Sequence, residues 1–430
     1  MHIIDYLEFD DYWRAAARQE EDSALIDTVQ RVINAVRCEG DAAVRCFAAQ
    51  FDKSAPQTLE VSPDCIQAAY QRLERDDPEL HWALSLAATH IRCFAEQQKA
   101  QLVDFEYHMA DGLVTGQRVI PVQRAGIYAP AGRFPLISTV LMDVIPALLA
   151  GVDDLFVASP PLENGLPDER VMAAAYIAGA GKVRVFAMGG AQAIAALALG
   201  TETVPRVDVI AGPGNKYVAT AKRLLYGETG IDFIAGPSDI LIIADAPNAN
   251  ADIIAADMLA QAEHDPDACA RALVPDSAFA ALLVERLNAR LDSLPTAQTA
   301  RASLDAGGLI ITYAAKEDAV RIANTIAPEH LELQVAAPDV WIPCLRNYGS
   351  LFIGSLAAEV LGDYSAGISN TLPTAGSARF TGGLSVRHFL KTLTTLRCAP
   401  GSGYDDTRRA AQIIARAEGL AAHAESAAIR

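Results

Sequence analysis

No Cys-x-x-Cys spacing occurs in this 430-residue chain, and its seven cysteines (38, 46, 65, 93, 269, 344 and 398) are odd in number. A disulfide framework and a thiolate zinc site are thereby disfavoured, and a reducing compartment is expected. Basic charge is scarce: 35 Lys and Arg stand against 53 Asp and Glu, a net charge of −18. No run of Lys or Arg exceeds an adjacent pair. Such a field repels nucleic-acid phosphate and anionic membranes, so neither is an expected partner, whereas a small neutral or cationic substrate fits. Long apolar runs are also missing. The longest uncharged one, Val185 to Gly200, is broken by Gly189, Gly190 and Gln192 and is too short to span a bilayer. The start, MHIIDYLEFDDYWR, lacks a basic region followed by an apolar run, so no signal peptide is read and a cytoplasmic protein is expected.

What is present suits a compact enzyme. Half the residues are apolar (51%) and 20% are charged, and the length suggests about two to three domains. From about residue 5 to 110 the apolar spacing is helical, as in Ile66 to Leu73 and His81 to Gln97. Short apolar runs then recur at 126–128, 155–158, 183–186, 207–210, 240–243, 309–311 and 351–353, with helical segments at 139–150, 168–178, 191–199 and 251–263 between them. This alternation predicts an α/β fold with parallel sheets covered by helices on both faces, and ligands at the carboxyl ends of the strands. Glycine turns sit at Pro130–Gly132, Gly189–Gly190, Gly212–Asn215 and Gly236–Asp239, where backbone N–H groups can approach an anion. No G-x-G-x-x-G occurs among them, so the ordinary dinucleotide fingerprint is absent.

Four segments carry residues capable of chemistry. On the helix at 251–263, Gln261 and His264 share a stripe with Ile254, Asp257 and Met258, which suits either a metal ion or a hydrogen-bonded core pair. Glu329 and His330 follow Pro328, placing them in or beside a turn with diverging side chains; the pair suits proton transfer, or is a surface dipeptide. Asp363 lies in a loop between Gly362 and Gly367, as a metal or substrate anchor or as an Asx turn. After the Gly/Pro-rich stretch 399–404 a helix runs from Asp406 to Glu418 and stops at Gly419, so that Glu418 and His423 flank the stop and either fray or reach a site, on their own or a neighbouring subunit.

Together these segments resemble the histidinol dehydrogenase family over almost the whole chain, through Tyr128 to Met142, Gly189 to Leu197, Ala211 to Asn215, Ala235 to Ser238, Gln261 to His264, Ala327 to Leu331, Gly362 to Tyr364 and Glu418 to His423. The resemblance implies one zinc ion per subunit on Gln261, His264, Asp363 and His423, the last from the partner chain of a homodimer. It implies Glu329 and His330 as acid–base residues, and Tyr128, Gln192 and Asn215 as contacts to NAD. Ser238, Asn370 and Glu418 join His330 and the zinc ligands around a small alcohol substrate. The implied fold is two incomplete Rossmann-like domains, one made of 1–127 (with a helical N-terminal part) plus 240–385 and the other of 128–239, with a small tail, 386–430, reaching the active site. The implied reaction is oxidation of histidinol through its aldehyde to the acid in histidine biosynthesis. One departure stands out: where the family reads Gly-x-Asn-His-x-Leu-Pro-Thr, this chain has Ser369 and Asn370 for the Asn-His pair. That substitution motivates a second reading, the same zinc and NAD chemistry on another amino alcohol or diol. A ligand-binding protein that merely kept the fold is disfavoured by intact Glu329, His330 and zinc positions.

Overall fold

The computed structural model describes residues 1–16, 22–131, 134–234, 236–245 and 249–430. Gly132 of the expected turn, Arg133 in the 128–142 motif and Ala235 in the 235–238 motif lie outside them. The chain opens with β1 (His2–Asp5), α1 (Phe9–Ala16), α2 (Ser23–Glu39), α3 (Asp41–Phe51), α4 (Pro63–Asp76), α5 (Pro78–Ala100), β2 (Phe105–Ala110) and β3 (Leu113–Pro121). Then follow β4 (Arg124–Tyr128), α6 (Ile137–Ala150), β5 (Asp154–Ser159), α7 (Glu169–Gly179), β6 (Arg184–Ala187), α8 (Gly190–Leu199), β7 (Val209–Ala211), α9 (Lys216–Leu225) and β8 (Gly230–Ile231). The third stretch holds β9 (Asp239–Ala244), α10 (Ala251–Ala262), β10 (Cys269–Val274), α11 (Ser277–Leu291), α12 (Ala297–Gly307), β11 (Leu309–Thr312), α13 (Lys316–Ile326), β12 (His330–Gln334), β13 (Ser350–Ile353) and α14 (Glu359–Tyr364). The tail is β14 (Leu390–Cys398), α15 (Ser402–Ala417) and α16 (Ala421–Ala428).

Two parallel sheets dominate. One has the order β6-β5-β4-β7-β8, the other β1-β11-β10-β9-β12-β13. Counted along the chain from β4, and from β9, each runs 3-2-1-4-5, the order of a Rossmann half. The reversal falls between β4 and β7 in one sheet and between β9 and β12 in the other. Strand periodicity explains how each sheet feeds two cores: Leu155 and Val157 join one cluster while Phe156 and Ala158 join the next, and Ile240 and Ile242 face one way while Leu241 and Ile243 face the other. Helices buried against sheet and neighbours are apolar all round, as α6 and α8 are, with most of their residues buried.

The expected boundary put residues 1–127 with the 240–385 sheet. Of that stretch β1 pairs there, alongside β11, and Phe9 packs into its core. The helices do otherwise: Val29, Val32, Ile33 and Val44 of α2 and α3 pack with Phe156, Phe186 and Ile210, and Ile66, Leu73, Leu84 and Ile91 of α4 and α5 pack with Leu141, Val157 and Val171. Both faces of the five-stranded sheet need covering by apolar helix stripes, and α2–α5 supply much of that cover. Nor is the region helical throughout, since β2 and β3 form an antiparallel three-stranded sheet with β14, order β14-β3-β2.

Candidate active site

One large cleft, about 1580 Å³, runs between the two parallel sheets. The five-stranded sheet offers its carboxyl edge, as expected: Tyr128 ends β4, Gly190 and Gln192 open α8 after β6, and Asn215 follows β7. The six-stranded sheet departs from the expectation. Ser238 precedes β9, Glu329 precedes β12 and His330 begins it, so its contribution comes from the amino edge of the strands, at the same reversal of strand order. The reason is local: Gly236 and Ser238 lead into β9 from the cleft, and Ala327, in the left-handed conformation at the end of α13, turns the chain through Pro328 straight into β12.

Backbone and side chain cooperate on each lip. On the five-stranded side Asn215 caps α9, accepting from the N–H groups of Tyr217 (3.0 Å) and Val218 (3.2 Å). The buried Tyr128 hydroxyl accepts from Gly190 N–H (3.0 Å), and burial raises its pKa. Gln192 donates to Asp52 at 3.2 Å, and burial pushes the Asp52 carboxyl up to about 6. On the other side Glu329 and Asp239 are laced together: Glu329 Oε2 accepts from Asp239 N–H (3.1 Å) and Asp239 Oδ1 accepts from Glu329 N–H (3.2 Å). Arg271 holds Asp239 Oδ2 at 2.9 Å.

Glu329 and His330 are both buried, at 4% and 3% exposure, and their side chains do not diverge: Glu329 Oε2 lies 4.0 Å from His330 Nδ1. Entry into a buried strand turns both inward where an exposed turn would have released them. Burial raises the Glu329 carboxyl to about 8. For His330 burial acts downward, but Glu359, 3.5 Å from Nδ1, together with Glu329 and Asp363, 3.4 Å from Nε2, outweighs it and raises the imidazole well above its ordinary value.

Gln261 closes α10, with His264 three residues on and Asp363 on α14. His264, Asp363 and Glu359 can each bring one ligand atom within 4.8 Å of the others, a cluster able to hold a metal ion. Gln261 is 1% exposed, yet neither its Oε1 nor its Nε2 has a hydrogen-bond partner, and Glu359 Oε2 has none either. Buried orphans of this kind are costly, and on the two elements that carry His264 and Asp363 they suit a cation. Glu359 escaped the sequence reading; its signal was there, since Glu359 and Asp363 lie four apart on one helix face.

Ten residues named from the sequence line this cleft: Tyr128, Gln192, Asn215, Ser238, Gln261, His264, Glu329, His330, Asp363 and Asn370. Asn370 Nδ2 donates to Ser138 Oγ (3.2 Å) and to the Asp363 carbonyl (3.3 Å). Glu418 and His423 are not brought there by their own chain; both are exposed on the tail, after α15 and in α16. No described helix is long and apolar enough to cross a membrane.

Two Rossmann-ordered sheets, a glycine-turn lip opposite a buried acid–imidazole pair, and a metal-type donor cluster between them define an α/β oxidoreductase architecture. A family model described as histidinol dehydrogenase matches residues 15–430. A histidinol dehydrogenase of Methylococcus capsulatus is 45% identical over 415 residues, covering 96% of this chain and 93% of that protein. One of Thermus thermophilus is 44% identical over 410 residues, covering 95% of each. The crystal structure of histidinol dehydrogenase from Elizabethkingia anophelis superposes with a TM-score of 0.91 at 32% identity, over all of this chain and 96% of that one. The chain belongs to the histidinol dehydrogenase family.

Proposed function

We propose that this protein is a cytoplasmic, homodimeric histidinol dehydrogenase that oxidises L-histidinol through histidinaldehyde to L-histidine in histidine biosynthesis, using two molecules of NAD. The observation that carries the reading is the buried Glu329–His330 pair, set at the lip of a cleft whose other lip bears Tyr128, Gln192 and Asn215. Those three are assigned to the nicotinamide nucleotide. One zinc ion per subunit is assigned to Gln261, His264 and Asp363, with His423 of the partner subunit; the unpartnered Gln261 amide and the gathered His264 and Asp363 fit such an ion. When bound, zinc would hold the amino alcohol and orient its carbinol carbon, and NAD would accept hydride.

This chain's residues then divide the proton work. His330 takes the hydroxyl proton as the first hydride leaves, giving the aldehyde. Glu329 takes a proton from water as it adds to that aldehyde, and the hydrate gives up the second hydride to become the acid. Glu359, Glu329 and Asp363 around His330 favour its imidazolium, so the neutral form that accepts this proton gains as pH rises. Ser238, Asn370 and the partner's Glu418 complete the substrate's surroundings in this assignment, and the 128–239 and 240–385 segments act as the two working domains with the tail crossing to the partner.

A second reading rests on Asn370, whose amide is committed to Ser138 and the Asp363 carbonyl where the family has an ionisable histidine: the same chemistry on another amino alcohol or diol. Spectrophotometric counting of NADH formed per L-histidinol consumed, with zinc-loaded protein, decides. Two NADH per substrate are expected; no turnover with zinc bound would replace histidinol by another alcohol.

A further inference from the structure

The turn that carries Asn215 begins at Gly212, and Gly212 is held from both sides by charge. Its φ is +109°, and a Cβ there would fall 2.2 Å from the Tyr128 carbonyl oxygen, so this residue is pressed against the backbone of the neighbouring strand. Gly212 N–H donates to Asp232 Oδ2 at 2.9 Å, while Gly212 C=O accepts from Lys222 Nζ at 2.8 Å. Lys222 and Asp232 are themselves 2.5 Å apart, with side chains 1% and 0% exposed. Asp232 also accepts from Phe233 N–H at 2.7 Å, and its own N–H donates to Ile210 C=O in β7. A buried ion pair of this kind carries a desolvation cost of several kcal/mol per ion, and apolar residues of like size would fill the space at less cost. What apolar residues cannot supply is direction, here two bonds on the flanking peptide units of one residue at the point where the strand order reverses.

We propose that Lys222 and Asp232 are positioning residues for the nucleotide lip, clamping Gly212 so that Asn215 and Tyr128 stand where the nicotinamide nucleotide is held. The inference rests on the assignment of that lip to NAD. Neither clamp residue lines the cleft, so the pair acts through the turn and not by contact. The geometry gives the route: Lys222 lies on the helix that Asn215 caps, and Asp232 follows the short strand β8 that pairs with β7.

Removing either partner alone leaves the other charge buried without its counter-charge, and a lone Asp232 carboxylate also stands close enough to buried Asp143 for the two to repel, which makes loss of Lys222 alone the costlier change. The test therefore uses Lys222→Met combined with Asp232→Asn, and Asp232→Asn alone. Both keep one oxygen at position 232, which can accept from Gly212 or from Phe233 but cannot stand in for both carboxylate oxygens. Full-length zinc-loaded proteins are titrated with NAD by calorimetry, with Asn215→Ala alongside, and zinc content, thermal midpoint without NAD, and steady-state constants are measured. For the double variant the NAD Kd and KM are expected to rise about tenfold, with kcat at saturating NAD, substrate KM and zinc content within about twofold of wild type. For Asp232→Asn alone a rise of about threefold in NAD Kd is expected on the same reasoning. An unchanged Kd in both clamp variants while Asn215→Ala raises it overturns the clamp and leaves the lip assignment standing. An unchanged Kd in all three overturns the lip assignment, and the clamp with it. A lowered thermal midpoint with unchanged Kd reduces the pair to a structural one and also overturns the proposal.

Discussion

Replacing Gln261 by leucine should reverse sign with metal. The amide is 1% exposed and neither of its polar atoms has a partner. An orphaned buried polar group costs about 1–3 kcal/mol, so the lower end for two atoms of one amide gives about 2 kcal/mol. Leucine has a similar volume and continues the apolar stripe of Ile254 and Met258 on α10. With a chelator present, Gln261→Leu should therefore be the more stable protein by about 2 kcal/mol. With free zinc at about a thousand times Kd, the wild type gains about 4 kcal/mol by linkage while the variant, short of a ligand, gains little, and the order turns over by about 2 kcal/mol. Scaling the per-residue entropy of unfolding to this chain gives about 1 °C in midpoint per kcal/mol, so each gap is about 2 °C. Differential scanning calorimetry of both proteins, with EDTA and with zinc, reads both gaps. If the variant melts lower in EDTA, the amide is hydrogen-bonded core and the metal argument is wrong. If zinc leaves both midpoints unmoved, the cluster holds no ion.

Two further outcomes are expected. Glu329→Gln keeps an oxygen for Asp239 N–H and so should fold and bind zinc normally, but kcat should fall about 10²–10⁴-fold; a loss below about threefold would remove Glu329 from the proton chemistry. Asp52, held at about 6 against an ordinary 3.8, is still protonated in the folded chain where the unfolded chain has ionised. Its contribution to stability is thus present at low pH and lost as pH rises from about 4 to about 6, after which it is flat. The midpoint of Asp52→Asn minus that of wild type should grow across that window and stay constant above about pH 7; a gap independent of pH would mean that Asp52 is not perturbed.

The strands most legible in the sequence are those whose both faces are buried. Ile240–Ile243 and Leu155–Ala158 read as continuous apolar runs because helices cover them on either side. β12 hides by carrying polar residues inward: His330, Glu332 and Gln334 alternate with Leu331 and Leu333, and all five are buried. Its sequence looks like a half-exposed strand or a loop. The three-stranded sheet hides for the opposite reason, since β2 and nearly all of β14 are exposed and their threonines and charges resemble a linker. In the site, Gln261 and His264 were visible as polar residues on an apolar stripe, but the amino-edge placement of Glu329 and His330 was not, because it depends on how two sheets face one another. Asp52 and Lys222 come from sequence-distant helical segments and carry no local signature, only a position that the tertiary packing assigns.

The two lips of the cleft rest on separate hydrophobic cores, one under Tyr128, Gln192 and Asn215 and the other under Glu329 and His330, with Asn370–Ser138 and Thr371–Asp143 among the seams between them. In the proposed assignment, oxidant and alcohol are thereby handled by different slabs of protein. Under that assignment a change of preference for one leaves the packing beneath the other untouched, and the segment 369–374, which carries Ser369 and Asn370, is the stretch where such a change would be felt by both.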